Sequence, residues 1–229
     1  MNYLIVAAHP DDEVLGAGAT VYKLSHAGHT VDICIMSSEA RARNFRPDDD
    51  ELYQNFIEAS KILGFRERYE GTFPNIEMNT VPHLKLVRFI ENALVHSLPD
   101  VVITHHPHDL NNDHFQTSLA CQAAIRLFQR RRDVRPVAEL WYMEVPSATD
   151  WSLSGAAFRF SPNVFIEVGR DGVEKKREAL SKYKGVMRDY PHPRSREVIK
   201  SLAAMRGGQS GLVYAEGFEC AFRRIIVDG

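Results

Sequence analysis

Tyr3-Leu-Ile-Val-Ala-Ala8 runs directly into His9-Pro10-Asp11-Asp12-Glu13, an apolar stretch too short for a helix followed by a burst of acidic and imidazole groups. The stretch is rich in β-forming residues and predicts a strand over 3–8. Helical make-up follows over 14–27, then a second β-rich run over 30–36, with the turn at Ala27-Gly28-His29 between them. Strand, helix, strand in this order is a βαβ unit.

The same alternation continues along the chain. Helix is predicted over 49–63, stopped by Gly64, and then a strand around 66–71, a helix over 81–96, a strand over 100–104 and a helix over 118–128. Further strands are expected over 139–145 and 163–168, helices over 173–186 and 195–206, and a mixed terminal segment over 214–226. This is the pattern of an α/β fold, a three-layer Rossmann-like arrangement whose mainly parallel sheet is covered on both faces. One domain over 1–229 is expected. In such sheets ligands bind beyond the carboxyl ends of the strands, where the strand order reverses.

The chain of 229 residues is 44% hydrophobic, enough for a substantial core. A formal net charge of -2 gives no general attraction to nucleic acid or anionic lipid, and Arg130-Arg131-Arg132 reads as a solvated helix end. Cys34, Cys121 and Cys220 lack CxxC spacing and read as small core residues in a reducing compartment. No apolar stretch approaches the roughly 20 residues that span a bilayer. A cytoplasmic protein with no nucleic-acid or membrane partner is expected, and a homo-oligomer is possible.

A second burst, Asp109-x-Asn111-x-Asp113-His114, follows the strand over 100–104. If the strands over 3–8 and 100–104 flank the reversal point, the two bursts meet. A catalytic zinc commonly takes three ligands from His, Asp, Glu or Cys and keeps a fourth position for water. His9, Asp12 and His114 fit that set, and Asp11 beside them is free to take a proton. Plain helix capping by Asp11, Asp12 and Glu13 is the simpler account of the first burst. Capping does not call for His114.

Ala8-His9-Pro10-Asp11-Asp12-Glu13, then Gly16-x-Gly18-x-Thr20, together with the second burst, resembles the PIG-L or LmbE-like deacetylases. Pro191-His192-Pro193-Arg194-Ser195 and Tyr214-Ala215-Glu216-x-Phe218 are similar to one bacterial branch. The resemblance implies an LmbE-like fold and a zinc-dependent hydrolase that removes an N-acetyl group from an N-acetylglucosamine-type sugar or conjugate. It implies Zn2+, or another transition metal, on His9, Asp12 and His114, with Asp11 as general base. Asp113 would orient a neighbouring side chain through hydrogen bonding.

One position departs from the family pattern. Many members carry histidine where this chain has Asn111, and asparagine cannot protonate a leaving amine. His192, in a short Pro-flanked loop, is the candidate acid, with His106 and His108 as alternatives; a loop histidine that merely anchors backbone is an equal reading of His192. Structural roles are expected for His105, His106 and His108. Arg43 and Arg194 are the candidate substrate contacts, ahead of Arg41 and Trp151. Two rival readings are a nucleotide-binding module, for which GxGxxG is absent, and a non-catalytic metal-binding protein that has lost its acid.

Overall fold

The computed structural model describes residues 1–38, 48–153 and 158–227. Seven strands join in one sheet: β1 (Asn2–Ala7), β2 (Thr30–Ile35), β3 (Arg68–Glu70), β4 (Val101–His105), β5 (Glu139–Met143), β6 (Val164–Glu167) and β7 (Ala215–Arg223). Their spatial order is β3-β2-β1-β4-β5-β7-β6. β1 pairs in parallel with β2 on one side and β4 on the other, so the order reverses between β1 and β4. Both sequence bursts emerge there, at the carboxyl ends of those two strands.

Among the described residues six α-helices cover the sheet: α1 (Asp12–His26), α2 (Asp49–Leu63), α3 (His83–Ser97), α4 (Asn112–Ala124), α5 (Gly169–Leu180) and α6 (Arg196–Ser210). Side chains alternate across a strand, and β1 shows the result. Tyr3, Ile5 and Ala7 pack with residues of α1, α2 and α5, whereas Leu4, Val6 and Ala8 pack with α3 and α4. Leu4, Ile5 and Val6, all fully buried, each contribute about 1.5–3 kcal/mol. The sheet is therefore sandwiched between two apolar layers.

Three expectations change. The terminal segment over 214–226 is mostly one long strand, β7, antiparallel to both β5 and β6. The helix expected over 118–128 starts earlier, at Asn112, because the Asn111 side chain accepts the Asp113 N–H at 2.9 Å and caps it. It ends at Ala124, so the basic run lies beyond it and forms ion pairs, Arg130 with Glu91 and Arg131 with Asp133. Cys34 and Cys121 are buried and Cys220 is half-buried, all three free.

Gly16 lies within α1, where a Cβ would stand 2.4 Å from the Met143 sulfur. Glycine here serves close packing of α1 on β5, which removes the basis of a phosphate-binding turn. In the middle of the same helix, the N–H groups of Ala19 and Thr20 donate to the Glu216 carboxylate at 3.3 and 2.7 Å. Lys176 Nζ donates to the Leu15 carbonyl at 2.7 Å and to Glu216 at 2.6 Å. Both side chains are buried, 6% and 7% exposed, so neither charge is left to water. Removing one partner of such a pair leaves an uncompensated buried ion; Lys176→Met is expected to cost about 3 kcal/mol. Urea unfolding would read this as a lower midpoint, partly restored by adding Glu216→Gln.

Candidate metal centre

Asp12 opens the first turn of α1 and His114 the first turn of α4, while His9 sits on the loop between β1 and α1. Ligand atoms of the three lie within 4.8 Å of one another, and all three residues are buried. His9 Nδ1 is 3.2 Å and His114 Nε2 3.1 Å from Asp12 Oδ2. Donors on a tetrahedral ion with bonds of about 2.0–2.1 Å stand roughly 3.3 Å apart. The observed spacing and the His-Asp-His donor set both fit a divalent transition metal.

Each histidine is backed by a carboxylate. His9 Nε2 lies 2.9 Å from Asp113 Oδ2, and His114 Nδ1 3.1 Å from Asp109 Oδ2. An ionised carboxylate only accepts, so Asp113 holds the proton of His9 on Nε2 and leaves Nδ1 turned to Asp12. Asp113 also accepts the N–H groups of Ile76 at 2.6 Å and Met78 at 3.0 Å. Asp109 accepts from the Thr149 hydroxyl at 2.8 Å and the Asn111 N–H at 2.9 Å. Partners of this kind commonly alter metal affinity 10- to 100-fold. Asp113→Asn is expected to weaken metal binding by roughly that factor, measured by competition with a chromogenic chelator.

The electrostatics without metal follow from this packing. Burial opposes a charge on His114, yet Asp12 and Asp109 on either side carry its pKa up to about 10. Burial likewise disfavours ionised Asp12, but His114 and His9 hold it well below the usual carboxylate range. Burial lowers His9 as well, and hydrogen bonding to Asp113 and Asp12 raises it overall.

His105 stacks on His114 with ring centroids 3.9 Å apart. Burial and then the His114 charge lower its pKa to about 3, keeping it neutral. His105 Nε2 accepts the Ala8 N–H at 2.8 Å, so its proton sits on Nδ1. His105, Asp109 and His114 also lie close enough to hold an ion. Both clusters must shed the His114 proton, and the His105 cluster would in addition need the proton on His105 Nδ1 removed.

Asp11 is 2% exposed by side chain, and its Oδ2 lies 3.3 Å from the Arg194 guanidinium. Its N–H donates to Glu13 at 3.0 Å, and the Tyr183 hydroxyl donates to the other Glu13 oxygen at 2.5 Å. Burial pushes Glu13 up to about 8 against the Tyr183 hydrogen bond. At neutral pH burial favours protonated Glu13, which lessens the negative charge that Asp11 meets on that side.

Arg194 also donates to the Ser147 hydroxyl at 2.7 Å. Asp11, Ile76 and Ser147 all hold positive φ, at 108°, 62° and 69°. Such backbone costs on the order of 1–3 kcal/mol per residue and clusters at functional sites. Leu98, at the C-terminus of α3, is the fourth described non-glycine residue of this kind.

The other expected residues are placed as follows. Asn111 caps α4 with its carbonyl oxygen. His192 Nδ1 accepts the Arg194 N–H at 3.0 Å, and its ring meets Trp151 edge-on at 5.4 Å. Burial, then Arg194 and Arg188, lower its pKa, so the ring is neutral at neutral pH with its proton on Nε2. His106 and His108 line a cavity of about 380 Å³ with Thr149, Glu144 and Phe160. Arg41 and Arg43 lie outside the described residues. Sequence alone gave no site role to Asp109, Glu13, Tyr183 or Ile76; Asp109 and Glu13 left a signal as members of the two bursts, Glu13 only as a helix-capping acid, and Tyr183 and Ile76 left none.

Residues 4–125 match the model of the family described as GlcNAc-PI de-N-acetylase, PIG-L. A relative in Escherichia coli strain K12, the uncharacterized deacetylase YaiS, is 28% identical over 189 residues, covering 79% of this chain and 89% of its own. Among solved structures, N,N'-diacetylchitobiose deacetylase from Pyrococcus horikoshii superposes with a TM-score of 0.77 at 19% identity, over 95% of this chain and 82% of that one. GalB, the 4-carboxy-2-hydroxymuconate hydratase from Pseudomonas putida KT2440, gives 0.78 at 19% identity, over 100% and 99%. The fold thus carries both amide hydrolysis and hydration, and function is read from the site.

Proposed function

Because the chain belongs to the GlcNAc-PI de-N-acetylase (PIG-L) family, we propose that it is a zinc-dependent hydrolase removing the N-acetyl group from an N-acetylglucosamine-type sugar or conjugate. The observation that carries this reading is the convergence of His9, Asp12 and His114 from two strand-to-helix junctions onto one point, with Asp11 beside them. A metal held by those three would act as a Lewis acid on the acetyl carbonyl and lower the pKa of a coordinated water.

The chain's own residues supply the rest. Asp11 takes the proton of the attacking water, and Arg194 beside it fixes the carboxylate for that task. His192, neutral with its donor on Nε2, hydrogen-bonds substrate rather than protonating it, which revises the acid role expected from sequence. Asn111, engaged as a cap, does not replace the missing histidine either. The proton held by Asp11 is then returned to the departing amine, so one carboxylate serves as base and acid in turn. The products are acetate and the free amino sugar.

Release of amine from a panel of N-acetylglucosamine conjugates tests the proposal. Activity should vanish with chelator and return with zinc. A zinc-loaded protein that is inactive across the panel would instead favour a metal-binding protein without this chemistry.

A further inference from the structure

We infer that Ile76 is a specificity-determining residue and that the preferred substrate carries an apolar aglycone, alkyl or aryl, packed against it beside the acetamido sugar. This rests on the deacetylase reading of the same centre. Ile76 holds φ 62° and is 43% exposed. Positive φ is a marked outlier for a β-branched side chain, and glycine or asparagine suits that backbone far better. An isoleucine there bears two penalties at once, a strained backbone and apolar surface left in water. It is not part of the buried apolar clusters that would offset them.

The position of this residue supplies the reason. Its N–H donates to Asp113 Oδ2, the same oxygen that lies 2.9 Å from His9 Nε2, so the Ile76 turn stands one carboxylate oxygen away from the metal-ligand ring. Leu110 and Phe115, on either side of Asp113 in the chain, are also exposed, 59% and 36%. Ile76 therefore offers exposed apolar surface on a turn hydrogen-bonded to the carboxylate that backs His9, and an apolar group beside a polar reacting centre suits a ligand with a polar reacting end and an apolar tail. Leu98 shares the exposure and the positive φ, but it ends α3, where helix termination calls for that conformation. It serves as the control.

The test compares octyl and methyl glycosides of N-acetylglucosamine on the wild type, Ile76→Asn, Ile76→Gly and Leu98→Gly. Binding of the corresponding product amines is followed by calorimetry, as a readout independent of turnover. The wild type and Leu98→Gly should favour the octyl compound about tenfold in kcat/KM and in Kd, the scale of one apolar contact in a binding site. Both Ile76 variants should lose that preference, keep their metal content and melt a few degrees higher, because the strain is gone. An octyl preference that survives in the Ile76 variants, or is missing from the wild type, overturns the inference. So does a fall in melting temperature in both variants, which would make Ile76 a packing residue. If neither glycoside is deacetylated, the deacetylase reading fails separately, and product binding alone decides the role of Ile76.

Discussion

Asp11→Asn is expected to lower kcat by about 10²- to 10⁴-fold, the usual contribution of a positioned proton acceptor, while the protein keeps its full complement of metal. The substitution is close to isosteric and asparagine tolerates positive φ, so the backbone at φ 108° should hold its shape. The N–H that donates to Glu13 is retained, and the side-chain oxygen can still accept from Arg194. What disappears is the capacity to take a proton. Because the same group is proposed to return that proton to the amine, both the attack and the departure should slow. Turnover measured alongside metal analysis on one preparation checks this; unchanged kcat at full occupancy would remove Asp11 from the reaction.

A different failure is expected of His114→Ala, with metal content near zero and deacetylation at background. The ring lies 3.1 Å from both Asp12 and Asp109, so alanine deletes a ligand and leaves two buried carboxylates without their shared partner. Zinc should stabilise the wild type against heat in proportion to its binding, and this shift should be absent in the variant. In the metal-free wild type the ring holds a proton up to about pH 10. Metal binding near neutrality must displace that proton, so affinity should weaken by about tenfold for each unit the pH is lowered. A variant that retained stoichiometric zinc would show that the ligand set is different.

Much of this arrangement was legible in the residues. β1, β2 and β4 are buried on both faces, and strands of that kind read as continuous apolar runs. The two acidic and imidazole bursts stand out because they follow such runs directly. β7 was harder to read, since its burial fades along its length from Ala215 to Arg223 and its place is set by β5 and β6 rather than by its own pattern. The early start of α4 rests on a single side-chain cap at Asn111. Asp109 behind His114, Glu13 against Tyr183 and the Arg194 contact to Asp11 each join residues far apart in sequence or depend on burial. The strained turns at Ile76 and Ser147 are properties of φ, and residue type there points the other way. His192 drew notice for its loop, but its lowered pKa comes first from burial, which only the folded arrangement sets, and then from Arg194 and Arg188.

The family match ends at residue 125, yet the mid-helix grip of Lys176 and Glu216 on α1 comes from beyond it. A fragment excised at that border would keep every proposed ligand and still strip Glu216 from the amides of Ala19 and Thr20 and the Lys176 ammonium from the Leu15 carbonyl. The region shared with the family is therefore not an autonomous module, and any chimaera grafting it onto another carboxyl-terminal half must bring an equivalent lysine and glutamate along.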